Sequence, residues 1–163
     1  MSENVLVGIS DFKTAKKPDV LVTYALGSCV GICLIDSDTG VGGMSHIMLP
    51  DSGIKKNAGV SDRMKFADTA IGDLVNDLTR AGARKENLKA KIAGGADMFN
   101  FDGESFISTI GKRNVDAVRE QLGNLGIPIL SEDVGENYGR TLHFDLATGG
   151  VTVNSIGKDS NEI

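Results

Sequence analysis

The sequence predicts a layered α/β or α+β domain in which two main helices cover a mixed, largely antiparallel sheet or sheets. Two segments carry apolar residues at every third or fourth position, the period of a helix with one buried face. Short stretches rich in Val and Ile, separated by Gly, Asp and Pro, surround these segments and predict strands. The chain has 163 residues, 40% of them apolar, which suffices for one sizeable core. We therefore expect a single domain over residues 1–157, followed by a frayed tail at 158–163.

A β-hairpin is the clearest strand prediction. The run DSDTG at 36–40 is rich in turn-forming residues and separates the apolar stretches 29–36 and 40–49, which should pair across it. The order of the strands within the sheet stays open. The other predicted strands are 4–10, 19–26, 88–96, 127–135, 138–149 and 150–157.

The two helices are predicted from apolar spacing and from their end signals. The first should span 62–81, with Ser61 as its N-cap and Gly82 just beyond its last turn. The second should span 112–124 and be followed by Gly126.

Charge and composition exclude several classes of function. The formal net charge is −5, which argues against non-specific binding of nucleic acid or of an anionic membrane surface. The first residues lack the basic and apolar regions of a signal peptide, and no apolar run is long enough to span a membrane. Two cysteines in such a chain are expected to be reduced thiols in the cytoplasm.

Two cysteines lie four residues apart at the first strand of the hairpin. Cys29 follows Gly27 and Ser28, small residues that would let a substrate approach a nucleophilic thiol. Free cysteines are also among the most commonly buried residues, so spacing alone favours a core position for Cys29 over a nucleophile. Cys33 lies among larger apolar residues and is predicted to be in the core. A disulfide between them is disfavoured by distance, and zinc would need further ligands.

A histidine on the second hairpin strand is a candidate base for Cys29. The turn places His46 near the same end of the hairpin as Cys29, which suits a thiol–imidazole pair. A structural role for His46 is an equal alternative, and His143, the other histidine, is not excluded as the base. Thr23 carries an oxygen that could orient an imidazole, although Thr is also a common strand residue.

The order of motifs resembles that of the CheD family, the chemoreceptor glutamine deamidases of bacterial and archaeal chemotaxis. The run VTYALGSCVGICLID, followed by GVGGMSHIMLPDS, carries the resemblance. KFADTAI, KIAGGADMF, IGKRNVDAVRE and GIPILSEDVGENYGR follow in order, so the resemblance covers about residues 4–155. It implies a layered fold related to the deamidating cytotoxic necrotizing factor toxins.

The resemblance also implies a mechanism. Cys29 would be the nucleophile, His46 the general base and acid, and Thr23 the third member of the catalytic site, in hydrolysis of glutamine side chains to glutamate. No metal ion or organic cofactor is implied. The residues around the thiol would either hold the oxyanion through their backbone N–H groups or leave room for the substrate to approach. They are Gly27, Ser28 and Val30.

The implied partners are methyl-accepting chemotaxis receptors, as substrate, and the CheC phosphatase, which acts on phosphorylated CheY. The segments 50–61 and 94–106 are candidate walls of a groove for a helical substrate. Two alternatives stay open, a receptor glutamyl methylesterase and a non-catalytic partner that regulates CheC. The chain departs from the family at Ala25, where Gly is usual.

Overall fold

The structure is a computed structural model that describes residues 2–54, 60–98 and 106–163. Within them are two α-helices, α1 (Ala67–Arg80) and α2 (Phe106–Asn124). Short 3-10 helices lie at Ser52–Ile54, Val60–Lys65 and Lys85–Asn87. The strands are β1 (Asn4–Leu6), β2 (Asp11–Lys16), β3 (Val20–Leu26), β4 (Val30–Asp36), β5 (Val41–Ile47), β6 (Lys89–Gly94), β7 (Ile129–Val134), β8 (Arg140–Asp145), β9 (Val151–Asn154) and β10 (Asn161–Glu162).

The strands form two five-stranded mixed sheets. The first sheet has the order β1-β3-β8-β9-β10, and the second has the order β2-β5-β4-β6-β7. Among the strand pairs of the described residues, β1–β3 and β6–β7 are parallel and the others are antiparallel. The predicted hairpin is confirmed as β4–β5, with Val30 opposite Ile47 and Gly31 opposite His46. The predicted α+β class, with largely antiparallel sheets and two main helices, is confirmed.

The second sheet is the middle of three layers. On one face, Val30, Ile32 and Leu34 of β4 pack with the apolar residues of both helices. On the other face, Cys33 and Ile35 of the same strand pack with the first sheet. Every residue of β4 and β5 is therefore buried. Strands buried on both faces carry continuous apolar or small residues instead of an alternating pattern.

Glycine lets the two sheets approach closely beside the hairpin. A Cβ atom at Gly31 would lie 2.7 Å from Leu142 Cδ1, and one at Gly42 would lie 2.4 Å from Leu146 Cδ2. Larger residues at either position would push the sheets apart, since close-packed interiors have no spare volume.

Both helices end as the sequence predicts, but they begin elsewhere. Gly82 and Gly126 adopt positive φ angles directly after the helices, where glycine avoids the strain of a left-handed backbone. The prediction that α1 begins at 62 with Ser61 as N-cap is wrong: α1 begins at Ala67, after the 3-10 helix. The helix α2 begins at Phe106, six residues before the predicted start.

The two ends of the chain differ from the sequence prediction. The predicted strand 4–10 is shorter, and the chain turns to form β2 at 11–16, an edge strand that the sequence did not reveal. Lysines along β2 conceal its pattern, and edge strands commonly carry such charges. In place of the predicted frayed tail, β10 pairs with β9 and Ile163 packs against the apolar cluster between the sheets.

A bulge in β3 explains why glycine would suit position 25, where this chain has Ala25. The register of β3 against β8 shifts between Thr23 and Leu26, and Ala25 adopts a φ of 60°. Because of the extra residue, Thr23 and Leu26 are both buried although they are three positions apart. Glycine is the residue best suited to a left-handed position of this kind.

Neither α-helix in the described part of the chain is long and apolar enough to span a membrane.

Candidate active site

A hydrogen bond between the two sheets joins Thr23 to His46. Thr23 Oγ1 lies 2.8 Å from His46 Nδ1, and both side chains are fully buried. Thr23 belongs to the first sheet and His46 to the second, so the bond crosses the layer between them. The same hydroxyl donates to the backbone carbonyl of Val7 at 2.8 Å.

These two bonds determine where the imidazole carries its proton. A hydroxyl has one hydrogen, and the Val7 carbonyl can only accept it. Thr23 Oγ1 must therefore accept from His46, so the neutral imidazole is protonated at Nδ1. Its Nε2 atom keeps a free lone pair and has no hydrogen-bond partner among the residues described. Burial lowers the pKa of His46 to about 4, so the ring is neutral at physiological pH.

Cys29 lies at the end of the same hairpin, one residue before β4 begins. Gly31, two residues after Cys29, is paired with His46. Because side chains alternate along a strand, Cys29 and His46 lie on the same face of the sheet. The Cys29 side chain is half-buried and packs against the apolar cluster between the sheets. Burial raises the pKa of the Cys29 thiol, and a hydrogen bond from the Cys29 backbone N–H offsets part of this rise. Thiol and imidazole are thus both neutral in the resting structure.

The loop that carries Cys29 is held by backbone contacts from the end of β6. The N–H of Gly95 donates to the Cys29 carbonyl at 2.8 Å, and that of Ala96 donates to the Gly27 carbonyl at 2.9 Å. A Cβ atom at Gly94 would lie 2.3 Å from the Cys29 oxygen. Gly94 and Gly95 therefore allow close backbone packing beside the thiol.

Two buried polar residues that the sequence analysis missed support this region. Asn114 of α2 donates from Nδ2 to the carbonyls of Ser28 and Met48, both at 2.9 Å. Arg140 of β8 donates to Asp133 at 3.0 Å, and its guanidinium also reaches the Gly94 carbonyl, 3.5 Å away.

Both missed residues occupy positions where the sequence pattern calls for an apolar side chain. Asn114 lies four residues before Val118 on the buried face of α2, and Arg140 precedes Leu142 and Phe144 in the alternation of β8. A polar residue at a core position is the signal that could have found them.

The second cysteine and the second histidine both lie away from the Thr23–His46 pair. Cys33 is fully buried and its pKa is raised by burial, which confirms the predicted core position. His143 pairs with Val22 and lies on the opposite face of β8 from Leu142 and Phe144, which point between the sheets. His143 therefore faces away from the layer that contains His46. Within the described residues no group of His, Cys, Asp and Glu side chains could hold a metal ion.

The predicted groove walls lie partly outside the described residues. Positions 55–59 and 99–105 of those segments are not described. Of the rest, Pro50 and Asp51 line a cleft of about 530 Å³ beside α2, and Gly95 and Asp97 line another of about 410 Å³.

Comparison with known proteins identifies the family. The sequence model of CheD, described as chemotactic sensory transduction, matches residues 48–155. The chain belongs to the CheD family. Curated CheD relatives from Clostridium botulinum (strain Hall) and Clostridium kluyveri are each 50% identical over 161 residues, covering 99% of this chain and 98% of the relative. Both are named probable chemoreceptor glutamine deamidase CheD. The predicted family resemblance is thus confirmed.

A solved structure is also similar in part. The crystal structure of the hypothetical protein YfiH from Bacillus licheniformis matches with a TM-score of 0.48 and 16% identity, covering 76% of this chain and 50% of that one.

Proposed function

We propose that this chain hydrolyses selected glutamine side chains of methyl-accepting chemotaxis receptors to glutamate, with Cys29 as nucleophile. The observation that carries the proposal is the Thr23–His46 hydrogen bond, which leaves Nε2 unprotonated on the face shared with Cys29. The names of the curated relatives support the same substrate and reaction.

The first half of the reaction forms a thioester. His46 Nε2 takes the thiol proton as Cys29 Sγ attacks the carboxamide carbon, and the carbonyl oxygen becomes an oxyanion. The N–H groups of the loop formed by Gly27, Ser28, Cys29 and Val30 are the proposed donors to it. Collapse of this intermediate breaks the C–N bond, and the imidazolium returns its proton so that ammonia leaves.

The second half restores the enzyme. Nε2 of His46 takes a proton from water, the hydroxide attacks the thioester carbon, and glutamate leaves as the proton passes to Cys29 sulfur. Thr23 acts as a positioning residue because it holds the ring tautomer and orientation that expose Nε2 in both halves. Neither half uses a metal ion or an organic cofactor.

Proton transfer is proposed to occur with the attack and not before it. In the resting structure Nε2 has no hydrogen-bond partner among the described residues, so the thiol does not yet donate to it. Burial disfavours the charged form of both groups, which makes a preformed thiolate–imidazolium pair unfavourable. Such contacts commonly tighten only when substrate is bound.

The proposed setting is the cytoplasm, where the two thiols stay reduced. Each turnover replaces a neutral amide on the receptor with a negative charge, the kind of change that shifts helical bundles between states. CheC is a predicted partner. If CheC presents a helix to the groove of this chain that binds the receptor, it would compete with the receptor and inhibit deamidation.

The experiment incubates the purified chain with a receptor cytoplasmic fragment and measures ammonia release together with Gln-to-Glu conversion by peptide mass spectrometry. Wild type should convert defined glutamines, Cys29→Ala should convert none, and Cys33→Ala should retain activity as the matched control. Conversion by Cys29→Ala would refute the nucleophile assignment. Release of methanol from a methylated fragment would instead support the methylesterase, and binding with no chemical change would support a regulatory partner of CheC.

The same assay tests the base. His46→Asn should abolish conversion, whereas His143→Asn, which changes the histidine on the outer face of the first sheet, should retain it. The opposite pattern would refute the assignment of His46.

A further inference from the structure

Asn114 is a buried amide on α2 whose two N–H groups serve the two segments of the site. Its Nδ2 atom donates to the carbonyl of Ser28, directly before Cys29, and to the carbonyl of Met48, two residues after His46. An amide nitrogen has two hydrogens, so both are used. Asn114 Oδ1 is buried and has no partner among the described residues. Retaining an amide here is costly, which points to a role for its donors.

The bond to Ser28 acts on the peptide unit that ends at the nucleophile. The Ser28 C=O and the Cys29 N–H belong to one planar trans peptide, in which the two groups point in opposite directions. Asn114 holds the carbonyl end at 2.9 Å, so the N–H end is turned away from α2. That N–H lies beside the Cys29 sulfur, where it favours the thiolate form.

The neighbouring carbonyls are held in the same way. Those of Gly27 and Cys29 accept from Ala96 and Gly95, so three successive carbonyls of the loop are tied to the body of the protein. The helix α2 packs directly against this segment: a Cβ atom at Gly111, three residues before Asn114, would lie 2.4 Å from the Ala96 oxygen. The orientation of the loop thus depends on its packing against α2.

We propose that Asn114 is a positioning residue that orients the Ser28–Cys29 peptide, so that the Cys29 N–H donates to the oxyanion formed during attack. The inference rests on the proposed Cys29 mechanism. A hydrogen bond into the carbonyl also polarises the peptide and strengthens its N–H as a donor. Such a donor matters most in the transition state, where the carbonyl oxygen carries its full charge.

The test compares two reactions of the same thiol. Deamidation passes through an oxyanion, whereas alkylation of Cys29 by iodoacetamide does not, although both need the thiol deprotonated. Asn114→Leu keeps the branched shape of the side chain and removes both donors. It should lower kcat for deamidation by about tenfold to a hundredfold. KM should change by less than about threefold, because ground-state binding does not involve the oxyanion. The alkylation rate at the same pH should fall by far less than kcat, because alkylation reports only the ionisation of the thiol, which the Cys29 N–H also favours.

The matched control is Val118→Ala, which removes apolar volume one turn along the buried face of α2 and touches no carbonyl of the loop. It should lower the free energy of unfolding while leaving both rates unchanged below its unfolding temperature. If Asn114→Leu does not fold, judged by circular dichroism, Asn114→Ser provides the same comparison with one donor retained and a smaller loss of kcat.

The proposal is overturned if kcat and the alkylation rate fall in parallel, since Asn114 would then act on the thiol or on His46. It is also overturned if Asn114→Leu folds and keeps the kcat of wild type. The same holds if Val118→Ala lowers kcat as much as Asn114→Leu does while leaving the alkylation rate unchanged. Activity that survives in Cys29→Ala would instead refute the proposed function, whatever the result at Asn114.

Discussion

Acidification should destabilise the protein through His46. The unfolded chain binds this proton with an ordinary pKa of 6.5, whereas burial lowers the pKa to about 4 in the folded state. Between these values the unfolded state binds more protons than the native state, so stability falls as pH falls. The expected loss from this group is about 2 kcal/mol between pH 7 and pH 5, reaching about 3 kcal/mol at pH 4.

Urea unfolding of wild type and His46→Asn at pH 7 and pH 5 isolates the contribution of the imidazole. The Asn amide can still donate to Thr23 but does not titrate, so the variant should lose about 2 kcal/mol less than wild type over this interval. Equal losses would show that folding does not shift the pKa of His46. A larger loss in the variant would show that His46 is charged in the native state, as in a preformed pair with a Cys29 thiolate.

Three further predictions concern residues around the site. Thr23→Val should lower the free energy of unfolding by about 1–3 kcal/mol and kcat by about tenfold or more, because His46 Nδ1 loses its acceptor; Thr23→Ser should restore both, and failure to do so would contradict the tautomer argument. Ala25→Gly should raise the free energy of unfolding by about 0.5 kcal/mol by relieving the positive φ, and a lower melting temperature would contradict this. Arg140→Met should lower the free energy of unfolding by about 3–5 kcal/mol because Asp133 loses its cationic partner and keeps, among the described residues, only the hydrogen bond from Asn161, and adding Asp133→Asn should recover part of that loss.

Local rules accounted for the parts of the fold that depend on a few neighbouring residues. The β4–β5 hairpin follows from a turn sequence between two apolar stretches, and the helix ends at Gly82 and Gly126 follow from the conformational freedom of glycine. The start of α1 did not follow, because Ser61 lies in a preceding 3-10 helix that has the same apolar spacing. The edge strand β2 could not be predicted because its lysines interrupt the apolar pattern of a strand. It forms through backbone pairing with β5, which the sequence pattern does not show.

By itself, the sequence determined the family through its ordered motifs, and the hairpin register that brings Cys29 and His46 to one end. Only the tertiary structure showed that Thr23 reaches His46 from the other sheet, and that Asn114 reaches the nucleophile loop from α2. The reason is physical. Contacts within a hairpin are set by a short turn, whereas contacts between layers depend on how sheets and helices pack, which no local pattern encodes.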